Sequence, residues 1–192
     1  YDAERQLVPF AESIPFWNVP FVQRFFRSVI GLGGVWTPGE EYRLFDLEAP
    51  DGPLRYATPI CFEDAFSYVC RDMVRQGADL LINLTNNSWS RTDSAQVQHY
   101  VAAKFRSVEN RITLVRSTNS GLTTVVDPWG RRLASLPMFE ADYLIVDVPL
   151  YAPERPTVYT RYGDYLGQLF AGLSLGLLAV ILWRGRRRRL VP

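Results

Sequence analysis

The sequence contains few residues of the types that bind metals or form disulfides. It has one histidine, His99, one lysine, Lys104, and two cysteines, Cys61 and Cys70. Two cysteines are too few for a disulfide scaffold, and no cysteines, histidines and carboxylates cluster at metal-ligand spacing. There is also no internal repeat and no glycine-rich loop of the phosphate-binding kind. The sequence therefore predicts neither a metal nor a cofactor.

A strong net charge is also absent. The formal net charge is +1 over 192 residues, a length sufficient for one sizeable domain. The exception is a basic cluster at 184–189, close to the C-terminus. The first residue is Tyr1 rather than Met, so we expect the chain to be a fragment or a processed form.

Cys61 lies where a strand is predicted to end and a helix to begin. Apolar residues over 54–60 predict a short buried strand, and apolar residues over 66–74 recur at helical spacing. Backbone N–H groups converge at such a junction, and the helix dipole favours the thiolate, which is the nucleophilic form. Cys61 is therefore a candidate nucleophile, with a small buried side chain as the alternative. Cys70 lies on the apolar helix face and is predicted to pack in the core; a bridge between the two cysteines would disable a nucleophile.

Alternating strands and helices predict an α/β layered domain with mixed sheets. Besides the strand before Cys61, we expect strands at 42–46, 79–84, 112–116, 122–127 and 143–148. A helix is predicted to begin near Asp93. Its predicted buried stripe consists of Val97, Val101, Ala102, Phe105 and Val108, and His99 falls away from that stripe.

Residues 14–36 are rich in aromatic side chains that stand among prolines and glycines. Val22, Phe25, Phe26 and Val29 recur at the spacing of one face of a short helix. Two interpretations stay open for this segment. It is either a loop that packs in the core or a mobile apolar flap that touches lipid.

The C-terminal segment has the composition of a membrane-spanning helix. Residues 166–183 contain no charged side chain, and about eighteen residues at roughly 1.5 Å each give about 27 Å, close to a bilayer core. Tyr162, Tyr165 and Trp183 flank the run as interfacial residues do, and the arginines that follow place the C-terminus in the cytoplasm. The globular part is then expected outside the cytoplasm. The arginine cluster is explained as a topology signal or an anionic-lipid contact, so no nucleic-acid partner is expected.

Five short motifs occur in the order typical of one family. They are Leu-Val-Pro-Phe followed by Glu12, Ile-Cys-Phe-Glu at 60–63, Thr-Asn-Asn-Ser-Trp at 85–89, Gln-His at 98–99 and Arg-Ser-Thr-Asn-Ser-Gly at 116–121. Each motif is weak alone, but the five in order with a C-terminal apolar segment are specific. The chain resembles the apolipoprotein N-acyltransferases of the nitrilase, or carbon-nitrogen hydrolase, superfamily over nearly its whole length.

The resemblance implies a fold, a topology and a reaction. The fold is part of a nitrilase-like α-β-β-α sandwich over 1–150, followed by a linker at 151–165, a transmembrane helix at 166–183 and a cytoplasmic basic tail at 184–192. The membrane is a bacterial inner membrane with the catalytic domain on its extracytoplasmic side. The family's cysteine takes an acyl chain from a phospholipid as a thioester, and the amine of a diacylglyceryl apolipoprotein then accepts that chain.

The resemblance also assigns roles to individual residues. Cys61 matches the nucleophile, and Glu12 and Glu63 match supporting carboxylates. Phe62, which stands where the family often has tyrosine, and Trp89 match residues of the substrate pocket.

Two departures from the family pattern leave other functions open. The family's general-base glutamate lies upstream of the matched motifs and is expected to be missing from this chain. Its catalytic lysine is missing too: a gapless count back from Leu7 puts Glu4 at that position, with Arg5 beside it. Arginine could supply positive charge to an oxyanion but is a poor proton donor. A membrane-tethered nitrilase-like amidase and a non-catalytic fragment that binds lipid or a partner are therefore the alternatives.

Overall fold

The computed structural model of the protein describes residues 4–8, 12–30, 36–50, 52–151 and 154–189. Pro9 and Phe10 of the first motif, and the glycines at 31, 33 and 34 of the aromatic-rich segment, lie outside these residues. So do residues 190–192 of the predicted tail and the side chains of the basic cluster.

One six-stranded mixed sheet forms the centre of the fold, with its strands in the order β1 to β6. Strands β2, β3 and β4 are parallel, whereas β1, β5 and β6 run antiparallel to their neighbours. The strand bounds are Leu44–Ala49 for β1, Gly52–Ala57 for β2, Leu80–Asn86 for β3, Thr113–Asn119 for β4, Thr124–Val126 for β5 and Arg132–Ser135 for β6. The predicted α/β class with a mixed sheet is confirmed.

Two helices connect the parallel strands and pack beside them. Helix α2 (Ser67–Arg75) lies between β2 and β3, and α3 (Asp93–Asn110) lies between β3 and β4. The core between sheet and helices consists of Ala57, Val69, Cys70, Met73, Ala78, Leu81, Tyr100, Ala103, Ile112, Leu114, Leu122 and Val126. Parallel strands present their carboxyl ends at one sheet edge, and the residues after β2, β3 and β4 therefore meet there. Cys61 follows β2 at this edge.

The prediction for α3 was wrong about which face is buried. Val97, Val101 and Phe105, expected in the core, are 43, 43 and 50 % exposed. The buried face is instead largely polar: it consists of Gln96, His99, Tyr100, Ala103, Arg106, Ser107 and Asn110. Hydrogen bonds hold these side chains inside the domain, so the apolar periodicity identified the wrong side of the helix.

The prediction of a strand at 143–148 was also wrong. These residues form no ladder with the sheet, because β6 occupies the edge beside β5. The segment alternates between half-buried and exposed residues, as a strand would. Leu144, Val146 and Val148 line a groove together with residues of β4 and β5. The apolar alternation therefore reflects packing on the sheet rather than membership of it.

Three further helices lie outside the sheet layer. Helix α1 (Pro20–Ile30) falls within the aromatic-rich segment. Helix α4 (Val158–Tyr162) falls within the predicted linker, and its Thr160 hydroxyl donates to Asn110 Oδ1 at the end of α3 (2.8 Å). Helix α5 spans Tyr165–Arg189. Among the described residues it is the one helix that is long and apolar enough to cross a membrane, and its apolar part is Tyr165–Trp183.

Candidate active site

Cys61 opens a tight 3₁₀ turn at the carboxyl edge of the sheet. The turn, Cys61–Ala65, follows β2 and leads into α2. Cys61 is half-buried and its φ of 50° lies in the left-handed region, a conformation that costs a non-glycine residue about 1–3 kcal/mol. Such strain persists only where surrounding contacts enforce it. The backbone at Cys61 is therefore held in place, and the side chain remains partly accessible.

Two polar side chains hold the Cys61 turn against the neighbouring elements. Asn83 of β3 is fully buried, and its Nδ2 donates to the carbonyl oxygens of Pro59 (2.9 Å) and Cys61 (3.0 Å). Arg106 of α3 donates to the carbonyl oxygen of Ala65 (3.0 Å). Both ends of the turn are thus anchored, which supplies the contacts that the left-handed backbone requires.

Glu63 connects the turn to the N-terminal segment. Its Oε1 accepts the backbone N–H groups of Arg5 (2.8 Å) and Gln6 (2.9 Å), and its Oε2 accepts that of Ile60 (2.8 Å). The side chain is only 1 % exposed. A carboxylate that receives three backbone donors is well stabilised as an anion. Glu63, one of the predicted supporting carboxylates, therefore holds the residue before Cys61 together with residues 5 and 6.

A buried ionic network lies behind the turn. Asp64 Oδ1 is 2.7 Å from His99 Nε2, and Asp64 Oδ2 accepts from Arg116 Nε at 2.9 Å. The other ring nitrogen of His99 is 3.1 Å from the Asn87 side-chain amide. The side chains of Asp64, His99 and Arg116 are at most 5 % exposed. The turn, α3, β4 and the loop after β3 are thus joined by one set of polar contacts.

Sequence reasoning missed this network and the anchoring of the turn by Asn83, although two signals were available. Asn83 is a polar residue inside the apolar strand Leu-Leu-Ile-Asn-Leu, and a buried amide needs hydrogen-bond partners. Asp64 follows the motif of Cys61 directly, and the chain has only one histidine to pair with it. The pairing itself is between residues 35 positions apart, which local periodicity cannot reveal.

Phe62 and Trp89 line a common pocket beside the turn. The pocket holds about 260 Å³, and its wall includes His99 and the first turns of α3. The Phe62 ring lies 4.8 Å from the His99 ring, centroid to centroid. Trp89 is 74 % exposed at the mouth. The two residues predicted for substrate binding are thus brought together in a pocket that adjoins the Cys61 turn through Phe62.

Glu12, the other predicted supporting carboxylate, holds its own loop. Its Oε2 accepts the backbone N–H of Val8 (2.7 Å), and its own carbonyl oxygen accepts from Trp36 (3.0 Å). Glu12 and Glu63 both act electrostatically on Glu4. Partial burial, together with repulsion from these two carboxylates, raises the pKa of Glu4 to about 7.

Arg5, beside the position of the family's lysine, and Lys104, the one lysine of the sequence, both contact other groups. The Arg5 guanidinium lies over the Tyr42 ring at 4.9 Å, and Lys104 lies against Gly130 in the turn between β5 and β6.

Cys70 is completely buried, and desolvation raises its thiol pKa well above the ordinary value. Both cysteines are free. No three metal-binding side chains cluster within the residues that the structure describes.

The sequence of this chain is similar to those of known proteins. The sequence model of the carbon-nitrogen hydrolase family matches residues 5–152. Apolipoprotein N-acyltransferase 2 of Treponema denticola is 49 % identical over 162 residues, which cover 84 % of this chain and 31 % of that protein. Apolipoprotein N-acyltransferase of Borreliella burgdorferi is 40 % identical over 158 residues, which cover 82 % of this chain and 29 % of that protein. The chain thus spans about a third of the length of these curated relatives.

Among solved structures, an amidase from Nesterenkonia sp. has 24 % sequence identity and a TM-score of 0.44. The match covers 54 % of this chain and 40 % of the amidase.

Proposed function

Because the chain belongs to the carbon-nitrogen hydrolase family, we propose that its whole protein is an apolipoprotein N-acyltransferase that uses Cys61 as the nucleophile. A phospholipid is the acyl donor, and the α-amine of a diacylglyceryl-cysteine at the N-terminus of an apolipoprotein is the acceptor. The observation that carries this proposal is a half-buried cysteine on an anchored turn, directly before the Phe62 that lines a pocket with Trp89, in a chain with a helix of membrane-spanning length.

The reaction has two acyl transfers. In the first, the Cys61 thiolate attacks the ester carbonyl of the phospholipid; the C–O bond breaks, and the lysophospholipid alcohol leaves with the proton that the thiol gave up. In the second, the acceptor amine attacks the thioester carbonyl, an amide forms, and a proton from the amine returns to the departing thiolate. A thiolate is both a good nucleophile and a good leaving group at acyl centres, so one cysteine serves both steps.

The side chains around Cys61 have supporting roles in this proposal. Glu63 holds residues 5 and 6 against the Cys61 turn, and Glu12 holds the backbone at Val8. Phe62 and Trp89 contact the acyl chain of the donor. Glu4, at the position of the family's lysine, has its pKa raised to about 7 and supplies no positive charge. We therefore expect the isolated chain to have little or no transferase activity.

Lipid, rather than a small amide, suits the surroundings of the site. Helix α1 carries three exposed apolar side chains on one side, Phe21 (75 %), Phe25 (47 %) and Val29 (64 %). Apolar residues exposed together in this way mark a surface that contacts lipid or protein. An enzyme that acts on small polar amides does not need an apolar surface to bind its substrate. This feature therefore favours the acyltransferase over the membrane-tethered amidase.

Helix α5 is proposed to cross a bacterial inner membrane. Its apolar part, Tyr165–Trp183, has a mean hydropathy of 2.0 and none of that span is buried against the domain. The arginines after it favour a cytoplasmic C-terminus, which puts the catalytic domain, 1–150, on the extracytoplasmic side. Residues 151–165 then connect the domain to the membrane.

The test is the transfer reaction of the intact reading frame. The full protein is supplied with phospholipid and a diacylated lipopeptide, and N-acylation is read as the mass increase of the lipopeptide. Wild type and Cys70→Ala are expected to acylate it, and Cys61→Ala is not. Release of ammonia from small amides without acylation would establish the amidase instead. Absence of both reactions would identify a non-catalytic, lipid-binding protein.

A further inference from the structure

A second cavity lies at the end of the sheet opposite to Cys61. It holds about 470 Å³ and is lined by the turn before β3, the turn before β4 and residues of the α4 region. The seven residues of β3, at about 3.3 Å each, separate the two ends of the sheet by roughly 20 Å. The cavity is therefore distinct from the site around Cys61.

Four arginines line this cavity: Arg55, Arg75, Arg111 and Arg161. Within the described ranges, none of them has a carboxylate within 4.0 Å. Asp79 is the one carboxylate among the lining residues, and its Oδ2 already accepts the backbone N–H of Arg55 (2.8 Å). The walls thus carry a formal excess of three positive charges. Guanidinium groups bind phosphate oxygens through paired N–H donors.

Local backbone geometry places two of these arginines. Gly77 has a φ of +104°, and a Cβ at that position would lie 2.4 Å from Nη2 of Arg55. The glycine therefore leaves the space that the Arg55 guanidinium occupies. Arg111, at the end of α3, donates from Nη1 to the carbonyl oxygen of Pro128 (3.1 Å), which leaves its other N–H donors available.

The cavity adjoins the point where the chain is proposed to enter the membrane. Arg161 lies four residues before Tyr165, where the apolar part of α5 begins. Four residues span about 6 Å as a helix and at most about 14 Å when extended. The headgroup layer on each side of a bilayer core is about 5–7 Å thick. An arginine side chain at this position reaches that layer.

Helix α4 fixes this wall of the cavity to the domain. Arg71 of α2 donates from Nε to the carbonyl oxygens of Tyr159 (3.2 Å) and Thr160 (3.0 Å), and from Nη2 to that of Arg161 (3.2 Å). The backbone that carries Arg161 is thus held beside the turns before β3 and β4. The backbone positions of the arginines around the cavity are thus set without a ligand, and the Arg161 guanidinium lies over the Tyr162 ring, 5.2 Å from its centroid.

We propose that this basic cavity binds the phosphate group of an anionic phospholipid at the membrane surface, separately from the acyl donor at Cys61. The proposal rests on α5 crossing the membrane. A phosphate here is held by guanidinium groups from four different segments of the chain. Its lipid tails extend along the start of α5 into the bilayer. The bound lipid then links the domain to the membrane surface at the start of α5.

The experiment measures lipid binding to the full protein in detergent by native mass spectrometry. The probes are phosphatidylglycerol, phosphatidylcholine and inorganic phosphate. The test variant is Arg75→Gln with Arg161→Gln. The matched control is Arg43→Gln with Arg132→Gln, which removes two exposed arginines that do not line the cavity. Thermal unfolding of each variant verifies that it is folded.

Wild type is expected to bind phosphatidylglycerol more tightly than phosphatidylcholine. The test variant should lose about thirtyfold in phosphatidylglycerol affinity, at about fivefold per arginine, whereas the control changes less than twofold. Equal phosphatidylglycerol binding by the test and control variants would overturn the proposal. Inorganic phosphate that binds as tightly as phosphatidylglycerol would also overturn it, because the ligand would then be free phosphate. Cys61→Ala should keep phosphatidylglycerol binding, so this proposal and the proposed transfer reaction fail independently.

Discussion

The Nε2 atom of His99 lies 2.7 Å from Oδ1 of Asp64, three residues after the candidate nucleophile. The second oxygen of Asp64 accepts from Arg116. One carboxylate thus joins α3 and β4 to the turn that holds Cys61. Removal of one partner from a buried ionic pair leaves an uncompensated charge, which is more costly than the intact pair is stabilising.

We predict that Asp64→Asn destabilises the protein strongly. Arg116 would remain buried as a cation without its carboxylate, at a cost of roughly 3–5 kcal/mol in the free energy of unfolding. Denaturant unfolding of the purified protein measures this. Asp46→Asn, at an exposed position of β1, is the control and should change stability by no more than about 0.5 kcal/mol. Equal stability of the two variants would show that the network does not support the fold.

Glu63→Gln should speed alkylation of Cys61, because it loosens the turn that partly covers the thiol. Glutamine offers one carbonyl oxygen, so it cannot accept all three backbone N–H groups that the carboxylate receives. At least one of them is left without an acceptor, and the Cys61 turn loosens from residues 5 and 6. The measurement is the rate of reaction with iodoacetamide under native conditions, which reports on Cys61 because Cys70 is fully buried.

Glu48→Gln, at an exposed position of β1, is the matched control for Glu63→Gln and should leave the alkylation rate unchanged. A Glu63→Gln protein that is alkylated at the wild-type rate would mean that the carboxylate has no influence on the reactive thiol.

Glu4→Gln should stabilise the protein in a pH-dependent way. The pKa of Glu4 is raised from 4.5 to about 7 in the folded protein. Between these two pH values the folded protein keeps the Glu4 proton, whereas the unfolded chain has released it. The contribution of Glu4 to the stability of the wild-type protein is therefore fully present below about pH 4.5 and is lost as the pH rises through 7. Glutamine does not titrate.

The measurement for Glu4→Gln is the melting temperature of variant and wild type between pH 4.5 and pH 8. The advantage of the variant is expected to grow up to about pH 7 and then to level off. Glu48→Gln should give a constant difference over the same range. An advantage of Glu4→Gln that stays flat or shrinks with rising pH would contradict the account.

Arg71→Gln should release α4 from the domain. The arginine makes three hydrogen bonds to the last carbonyl oxygens of that helix, and glutamine is too short to replace its guanidinium. Trypsin cleavage after Arg161, identified by mass spectrometry, is expected to become several times faster than in wild type. Arg43→Gln should be cleaved at this site as wild type is. Unchanged cleavage in Arg71→Gln would show that the carbonyl contacts do not hold α4.

Much of the fold could be predicted from local patterns in the sequence. The strand before Cys61, the helix after it and the helix that begins at Asp93 follow from apolar spacing and helix-start residues, and all three are present. The face of α3 could not be predicted in this way. Its buried side chains, His99 and Arg106 among them, find partners on the Cys61 turn, and only the tertiary structure brings those partners close.

The residues of the candidate site also form two groups: those that local sequence motifs predict and those that only the tertiary structure reveals. Cys61, Glu63, Phe62 and Trp89 belong to short motifs and were predicted from sequence, and the structure brings them to one edge of the sheet. Asp64, Asn83 and Arg116 act through contacts with segments that are distant in sequence. No local pattern encodes such contacts, so these positioning residues emerge only from the folded chain. The roles of Cys61 and Glu63 in a reaction stay predictions.

The thioester at Cys61 is the central claim, and trapping it is the most direct test. The full protein is incubated with phospholipid in the absence of any acceptor, and the intact mass and the Cys61 peptide are measured. We predict one added acyl chain on Cys61 that neutral hydroxylamine removes, and no such adduct in Cys61→Ala. An unmodified Cys61 in a protein that still N-acylates the lipopeptide would contradict the account, as would an acyl chain that is carried by another residue.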